Sequence, residues 1–367
     1  MSFAIKTLFI DSSVLETEPV INVVSKLRAP VWVTDNIKDI HEMILMDDDP
    51  IGAGKKYLYL TRNKGAFIKD CPGTKCYTCC DYVILHVGTF CTMDCSYCIL
   101  QSYFHPPFLQ FFLNWEDLDK ELEARMSEKG MRRYGTGEFT DSLIWEPFFS
   151  GLTQKLVKRF AGQSHAVLEL KTKSTEISNL KNLDHNGKTI ISFSLNTERM
   201  IKSQERRTAS LTARLKAAAQ CVEWGYPIGF HFDPVIIYDN ALEEYQNVIE
   251  KMFSYVPPEK IVWISIGTFR FMPALKSIIQ KRFDRSNIIY GEFIQGLDNK
   301  MRYFKPLRID ITKGIISAIR KIDKNVTVYF CMEDDEIWRK TLGFTADEKG
   351  GLPHMLDESA RRLCSLK

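Results

Sequence analysis

Cys91, Cys95 and Cys98 lie in the stretch Thr89-Phe90-Cys91-Thr92-Met93-Asp94-Cys95-Ser96-Tyr97-Cys98, separated by three and then two residues. No other feature constrains the fold as strongly, because thiols spaced this way act together only if the loop wraps them around one point. The largely apolar run Tyr82-Val83-Ile84-Leu85-His86-Val87-Gly88 precedes them and reads as a buried parallel strand ending at that loop. Three closely spaced thiolates suit a cubane iron–sulfur cluster, with one iron left open to a ligand that is not protein. Cys76-x2-Cys79 and Cys95-x2-Cys98, fifteen residues apart, also satisfy a zinc-ribbon spacing. Zinc leaves Cys91 unused, however, and asks a metal loop to bracket an apolar strand.

Strand and helix patterns alternate along the chain. Thr7–Ile10, Val31–Thr34 and Lys56–Leu60 read as short strands, separated by helical stretches from Glu18 to Leu27 and from Ile37 to Leu45. Six further strand candidates follow the cysteine-rich linker, at residues 82–88, 134–139, 167–173, 189–195, 228–233 and 261–267. The intervening helices are clearest at Leu211–Trp224 and Ala241–Phe253. Repeated βα units imply a parallel sheet with right-handed crossovers and a site at the strand C-termini, hence an α/β fold with an incomplete six-stranded barrel. The expected division is a small N-terminal α/β domain over 1–78, the partial (β/α)6 barrel over 79–270, and a C-terminal extension over 271–367. That extension holds a loop-rich segment, a helix Ile311–Ile322 and a strand Val326–Cys331.

With 367 residues, 45% hydrophobic and 26% charged, the chain has the composition of an ordinary globular protein. No run of eighteen apolar residues is present and the first residues lack a signal-peptide layout, so a cytoplasmic location without membrane contact is expected. Most of the ten cysteines cluster between Cys71 and Cys98, which favours metal or redox chemistry over a disulfide scaffold. A net charge of +3 does not by itself argue for nucleic acid.

The cysteine loop, with aromatic Tyr97 just before the last cysteine, resembles the cluster loop of the radical S-adenosylmethionine (SAM) enzymes. That resemblance implies a [4Fe–4S] cluster and SAM as cofactors, fed by an electron donor such as flavodoxin or ferredoxin. Three strings make it narrower: Cys91-Thr-Met-Asp-Cys95-Ser-Tyr-Cys98-Ile-Leu-Gln101; Asn186-Gly-Lys188 followed by Ser192-Phe-Ser194-Leu-Asn196; and Gly225-Tyr-Pro-Ile-Gly229-Phe. Together, over about residues 80 to 270, they resemble the spore photoproduct lyase family, whose members reverse a methylene-bridged thymine dimer in DNA.

The resemblance implies that Cys91, Cys95 and Cys98 are the cluster ligands, and that Lys173 and Ser194 lie near SAM. Gly135-Thr136-Gly137-Glu138 resembles the superfamily's Gly-Gly-Glu-like motif. It points to Gly137, Glu138 and Ser142 as SAM contacts, with small residues admitting the ligand and a carboxylate receiving its ammonium. Asp233 joins this cofactor-binding set, and His231 with Asp233 is expected to form an acid–histidine pair in the cavity. Tyr97 and Gln101 are placed over the adenine or the cluster.

One departure stands out: the family's hydrogen-donating cysteine at the end of the second barrel strand falls here at Phe139, which cannot donate a hydrogen atom. Cys331 is the candidate substitute, and with Tyr97 completes the expected catalytic set. Cys71, Cys76, Cys79 and Cys80 are left open between a second metal, a redox dithiol and packing. Lys300, Arg302, Lys305 and Arg308, interleaved with Tyr303 and Phe304, are expected to hold DNA phosphates. The function that the resemblance implies is that of a radical SAM lyase in DNA lesion repair. The alternatives are a radical SAM enzyme acting on RNA, a peptide or a small metabolite, and a non-catalytic metal-stabilised nucleic-acid-binding protein.

Overall fold

The computed structural model describes residues 5–71, 73, 76–128 and 130–366. Its strands in chain order begin with β1 (Thr7–Ile10), β2 (Val31–Val33), β3 (Tyr57–Thr61), β4 (Ile68–Asp70), β5 (Val83–Leu85), β6 (Gly88–Thr89) and β7 (Leu109–Phe112). Next come β8 (Arg132–Gly135), β9 (Ala166–Thr172), β10 (Thr189–Ser194), β11 (Ile228–Val235) and β12 (Ile261–Thr268). The last four are β13 (Arg270–Phe271), β14 (Phe293–Gln295), β15 (Met301–Tyr303) and β16 (Val328–Phe330).

An eight-stranded sheet in the order β4-β5-β8-β9-β10-β11-β12-β16 forms the body of the molecule. From β5 to β16 the pairings are parallel and follow chain order, as successive βα units require. The alternation read from the sequence therefore describes the sheet, with two additions. Val326–Cys331, placed in the extension, supplies β16 as a seventh parallel strand, and β4 closes the other edge antiparallel to β5. Helices Glu146–Ala161, Leu211–Glu223 and Ala241–Tyr255 connect the strands. The helix Leu211–Glu223 begins where Ser210 accepts a hydrogen bond from the Ala213 N–H, and it buries Leu211, Leu215, Ala218 and Cys221.

A five-stranded sheet, β2-β1-β3-β7-β6, gathers the N-terminal elements. Its helices run over Glu18–Leu27 and Ile37–Leu45 as the periodicity indicates, the second capped by Asn36 accepting from the Lys38 N–H. Ile40 and Ile44 pack with Phe9, Tyr57 and Phe108 into a small separate core. The two sheets interlock: β7, from the connection between β5 and β8, pairs with β3, while β4 precedes residue 79 yet joins the barrel sheet.

The C-terminal segment departs most from expectation. Residues 293–303 form antiparallel strands with β13, and the last helix-rich stretch starts at Lys305 rather than Ile311. The cation–aromatic segment 300–308 is therefore a strand and a helix start, not a surface loop.

Candidate active site

A cavity of about 420 Å3 opens at the C-terminal ends of the parallel strands. Cys91, Cys95 and Cys98 line it, and so do Gly137, Glu138, Lys173, Ser194, Asp233 and Cys331, so residues spread over more than two hundred positions meet around one cavity. Strand geometry explains this convergence. On β9, Glu169 and Lys171 face the cavity and Lys173 continues the alternation, while Leu168 and Leu170 are buried in the hydrophobic core.

The cysteine loop is held from three directions. Lys55, only 1% exposed, donates to the Cys91 carbonyl at 3.0 Å and to the Met93 carbonyl, and stands 3.7 Å from Asp94. Arg282, on the helix Pro273–Arg282, pairs with Asp94 at 3.1 Å and with Asp49 at 2.7 Å. The Gln101 side-chain amide donates to the carbonyls of Cys95 and Ser96 at 3.0 and 3.1 Å, and the Ser96 N–H donates to Gln204. With the carbonyls satisfied, the loop's conformation is fixed before any ligand arrives.

Cys91 and Cys95 are buried and Cys98 is half-buried. Burial pushes the Cys91 and Cys95 thiols up, Cys91 to about 12, so a bound cation is what would make these two sulfurs thiolates. The Met93 N–H already donates to the Cys91 sulfur at 3.4 Å. Among the described residues no three His, Cys, Asp or Glu side chains converge as a site for one metal ion. A cubane spreads its cysteines around an inorganic core, and three thiols from one loop facing one cavity fit that donor set.

The expected SAM contacts divide. Lys173 and Ser194 sit on the cavity wall, with the Lys173 ammonium 5.8 Å from the Tyr97 ring centre. Gly137 lies so close to β9 that a Cβ there would meet the Lys171 Cβ at 2.9 Å, so a side chain would push the loop after β8 away from β9. Glu138 reaches the cavity but is paired with Lys171, and despite burial Glu138 and Glu169 hold the Lys171 ammonium charged. Ser142 does not line the cavity. Its hydroxyl accepts from the Lys171 N–H at 3.0 Å and from Thr136 at 2.9 Å, tying the β8 loop to β9; this corrects its expected role as a contact.

The His231 and Asp233 pair does not form. His231 Nε2 lies 2.8 Å from Glu169, which also accepts from Ser192 and from the Trp263 indole at 3.0 Å. Burial opposes ionisation of Glu169, but His231, Lys171 and these donors outweigh it and hold the carboxyl down at about 2. Asp233 instead faces Arg270 at 3.4 Å. Glu169 was missed in the sequence, although Glu169-x-Lys171-x-Lys173 carries the signal: charges at every second position of an otherwise apolar strand.

Tyr97 presents its ring to the cavity, but its hydroxyl donates to Glu205, which is buried in an ion pair with Arg214. The phenol hydroxyl is thus engaged with a buried carboxylate while the ring stays on the cavity surface. Phe139 stacks on Tyr103 at 5.9 Å and packs edge-on against His86 at 4.8 Å. Cys331 does face the cavity, with Arg270 3.5 Å from its sulfur. Of the four expected phosphate contacts, Arg302 is bound to Asp298 at 2.6 Å and Arg308 to Glu333, both guanidinium groups being buried. Lys305 bridges Asp334 and Glu336 at 3.1 and 2.9 Å. Lys300 lines the cavity while pairing with Asp298 at 3.4 Å; Arg302 and Arg308 are buried structural cations, and Lys305 is a partly exposed one.

A curled parallel sheet whose strand ends carry a three-cysteine loop defines a protein with the radical SAM fold. A model of the spore photoproduct lyase family matches residues 75–310, well over half of the chain, and the chain belongs to that family. The spore photoproduct lyase of Clostridium acetobutylicum is 28% identical over 226 residues, which are 60% of this chain and 64% of the relative. That of Bacillus subtilis is 26% identical over 233 residues, 62% of this chain and 66% of the relative. The chain thus spans slightly less than two thirds of these relatives. A spore photoproduct lyase mutant solved with dinucleoside spore photoproduct superposes with a TM-score of 0.80 at 18% identity, covering 90% of this chain and all of that one. Another mutant, with bound AdoMet and the same dinucleoside, gives 0.78 at 18% identity over the same shares. These superpositions establish the fold.

Proposed function

We propose that this chain is a radical SAM lyase acting on a thymine lesion of the spore photoproduct type in DNA. The observation that carries the reading is the meeting of Cys91, Cys95 and Cys98 with Lys173 and Ser194 around one cavity, in a chain of this family. Cys91, Cys95 and Cys98 would hold a [4Fe–4S] cluster, which with SAM supplies a 5′-deoxyadenosyl radical. Lys173 would neutralise the SAM carboxylate and Ser194 would hydrogen-bond to it or to the ribose. Glu138, already balanced by Lys171, would accept from the ammonium, and Gly137 leaves room for the ligand. Arg270 with Asp233, and His231 with Glu169, fix charge elsewhere in the cavity lining; Asp233 is the acid there assigned to a cofactor role. Lys300 is the cation placed to meet a DNA phosphate, and segment 271–367 would help hold the substrate.

In this reading the protein is cytoplasmic and draws electrons from a flavodoxin or ferredoxin; among the described residues no helix is long and apolar enough to cross a membrane. One observation favours a second reading, a related radical reaction on another target: the cavity-lining residues Gly137 to Asp141 after β8 include no thiol, and Phe139 fills part of that space with an aromatic cluster. Anaerobic incubation with SAM, a reductant and dinucleoside spore photoproduct tests the first reading. It expects 5′-deoxyadenosine and the repaired thymine dinucleotide; deoxyadenosine without dinucleotide repair would favour the second, and neither product would refute both.

A further inference from the structure

The short helix Leu100–Tyr103, which continues the cysteine loop, and the loop after β8 bring aromatic side chains together at the cavity. The Tyr103 and Phe139 rings both line it, 13° from parallel and with centres 5.9 Å apart. Near-parallel rings at that separation are offset and overlap little, so part of each face stays uncovered. Phe104 stands edge-on to both, at 5.2 and 5.9 Å, and His86 stands edge-on to Phe139 at 4.8 Å. Phe112 in turn meets His86 edge-on at 5.1 Å. Among the described residues neither His86 ring nitrogen has a hydrogen-bond partner, and burial lowers the imidazole to about 4, so it acts here as a neutral flat ring. The pair is thus firmly backed.

Its other side is open. Tyr103 is 54% exposed and Ile99, four residues earlier, 40% exposed, and both line the cavity. Exposed apolar surface that continues into a cavity is a surface for a ligand. An uncovered ring face selects a flat one, and two flat groups belong to this cavity under the lyase reading: the adenine of SAM and a base of the DNA. The neighbouring charge separates them. Lys69, from the edge strand β4, places its ammonium 5.7 Å from the Phe139 ring centre. SAM is a cation without a phosphate, whereas every base of a strand comes with an anion, and a cation beside an aromatic face is the usual equipment for holding single-stranded nucleic acid.

We propose that Tyr103 and Phe139 form a stacking subsite for an unpaired base of a DNA strand, with Lys69 beside it to meet a phosphate of that strand. The proposal rests on the lyase reading for DNA as the substrate. It also gives position 139 a use: where the resemblance places a thiol, this chain has a ring that extends the stack.

The test uses reconstituted full-length protein, anaerobic and without SAM, with short undamaged single-stranded DNA carrying 2-aminopurine. Wild type should quench the 2-aminopurine fluorescence on binding. Tyr103→Ala should remove the quench and weaken binding about 5- to 150-fold, the range for one lost stacked base. Tyr103→Trp should keep both, and Tyr103→Leu, apolar but without a ring, should lose the quench. Iron content and the unfolding midpoint should match wild type in all three, since the side chain replaced is more than half exposed. A strand of abasic residues should bind wild type and Tyr103→Ala equally, and Lys69→Ala should lower the slope of log affinity against log salt by roughly 0.7. Binding without quenching, or Tyr103→Leu indistinguishable from wild type, would overturn the subsite. So would SAM binding weakened in Tyr103→Ala with DNA binding unaltered, which would assign the ring to adenine. Quenching that depends on Tyr103 in a protein that repairs no spore photoproduct would uphold the subsite and count against the lyase reading alone; repair without quenching would do the reverse.

Discussion

Two cysteine-rich loops line one cavity, and they are built differently. Residues 91–101 are mostly buried, Ile99 excepted, and are pinned by Lys55 from the N-terminal sheet region, Arg282 from a C-terminal helix and Gln101 from the loop's own helix. The described residues between 71 and 80 are half-buried to exposed, and they meet the rest of the protein through the Arg133 guanidinium on the Cys80 carbonyl, Arg302 over the Tyr77 ring at 4.1 Å and a Thr78 N–H bond to the Glu333 carbonyl at 3.4 Å. A loop whose Cys91, Met93, Cys95 and Ser96 carbonyls are bonded to buried side chains has its sulfurs placed for a ligand that does not adapt, such as an inorganic cluster.

The sharpest way to break this contrast is by iron content. Cys91→Ala, Cys95→Ala or Cys98→Ala should each abolish loading of about four irons per chain on anaerobic reconstitution, whereas Cys71→Ala and Cys79→Ala should leave it whole. Iron analysis and cluster absorbance decide the point. Equal losses from both loops would erase the distinction.

The clamp comes next. Lys55→Met strands the Cys91 and Met93 carbonyls in the interior, and denaturant unfolding should show a loss of about 2–4 kcal/mol together with impaired iron loading. Unchanged stability would show that the loop holds itself.

In the cavity lining, Glu169 is lowered from its ordinary 4.5 to about 2. A carboxyl depressed in the folded state contributes stability that is fully present above pH 4.5 and is lost as pH falls toward 2, here on the order of 3 kcal/mol. Glu169→Gln should therefore flatten the acid limb of stability across that window; an unaltered limb would mean that the His231 contact carries no linkage.

Smaller effects belong to ligand contacts. Lys173→Ala and Ser194→Ala should each weaken SAM binding by about 1–3 kcal/mol without loss of iron, measured by equilibrium binding to the reconstituted protein. Lys300→Ala should lower the slope of log affinity against log salt for single-stranded DNA by roughly 0.7, while Lys305→Ala should leave that slope unchanged.

How much of this could be read in the chain followed the range of the interactions. The cysteine triplet and the parallel strands were legible because each is a local pattern, a spacing or an apolar run. Lys55 and Arg282 were invisible, since nothing near them in sequence marks a side chain that binds a loop 36 or 188 residues away. The 300–308 segment misled for a physical reason: cations interleaved with aromatics look the same whether their partners are phosphates or, as here, Asp298 and Glu333. His231 and Asp233 were adjacent by alternation, but their partners come from β9 and β13, which sequence separation hides. Ser142 was read as a contact because serine suits either role; its bonds to Lys171 and Thr136 make it a brace.

Electron paramagnetic resonance of the reconstituted, reduced protein, with and without SAM, tests the central claim that the pinned loop holds a cluster with one open iron. The account predicts a [4Fe–4S]+ signal that changes on addition of SAM, is absent from Cys98→Ala, and persists with its SAM response in Cys79→Ser. A signal indifferent to SAM, or one that survives Cys98→Ala, would contradict it.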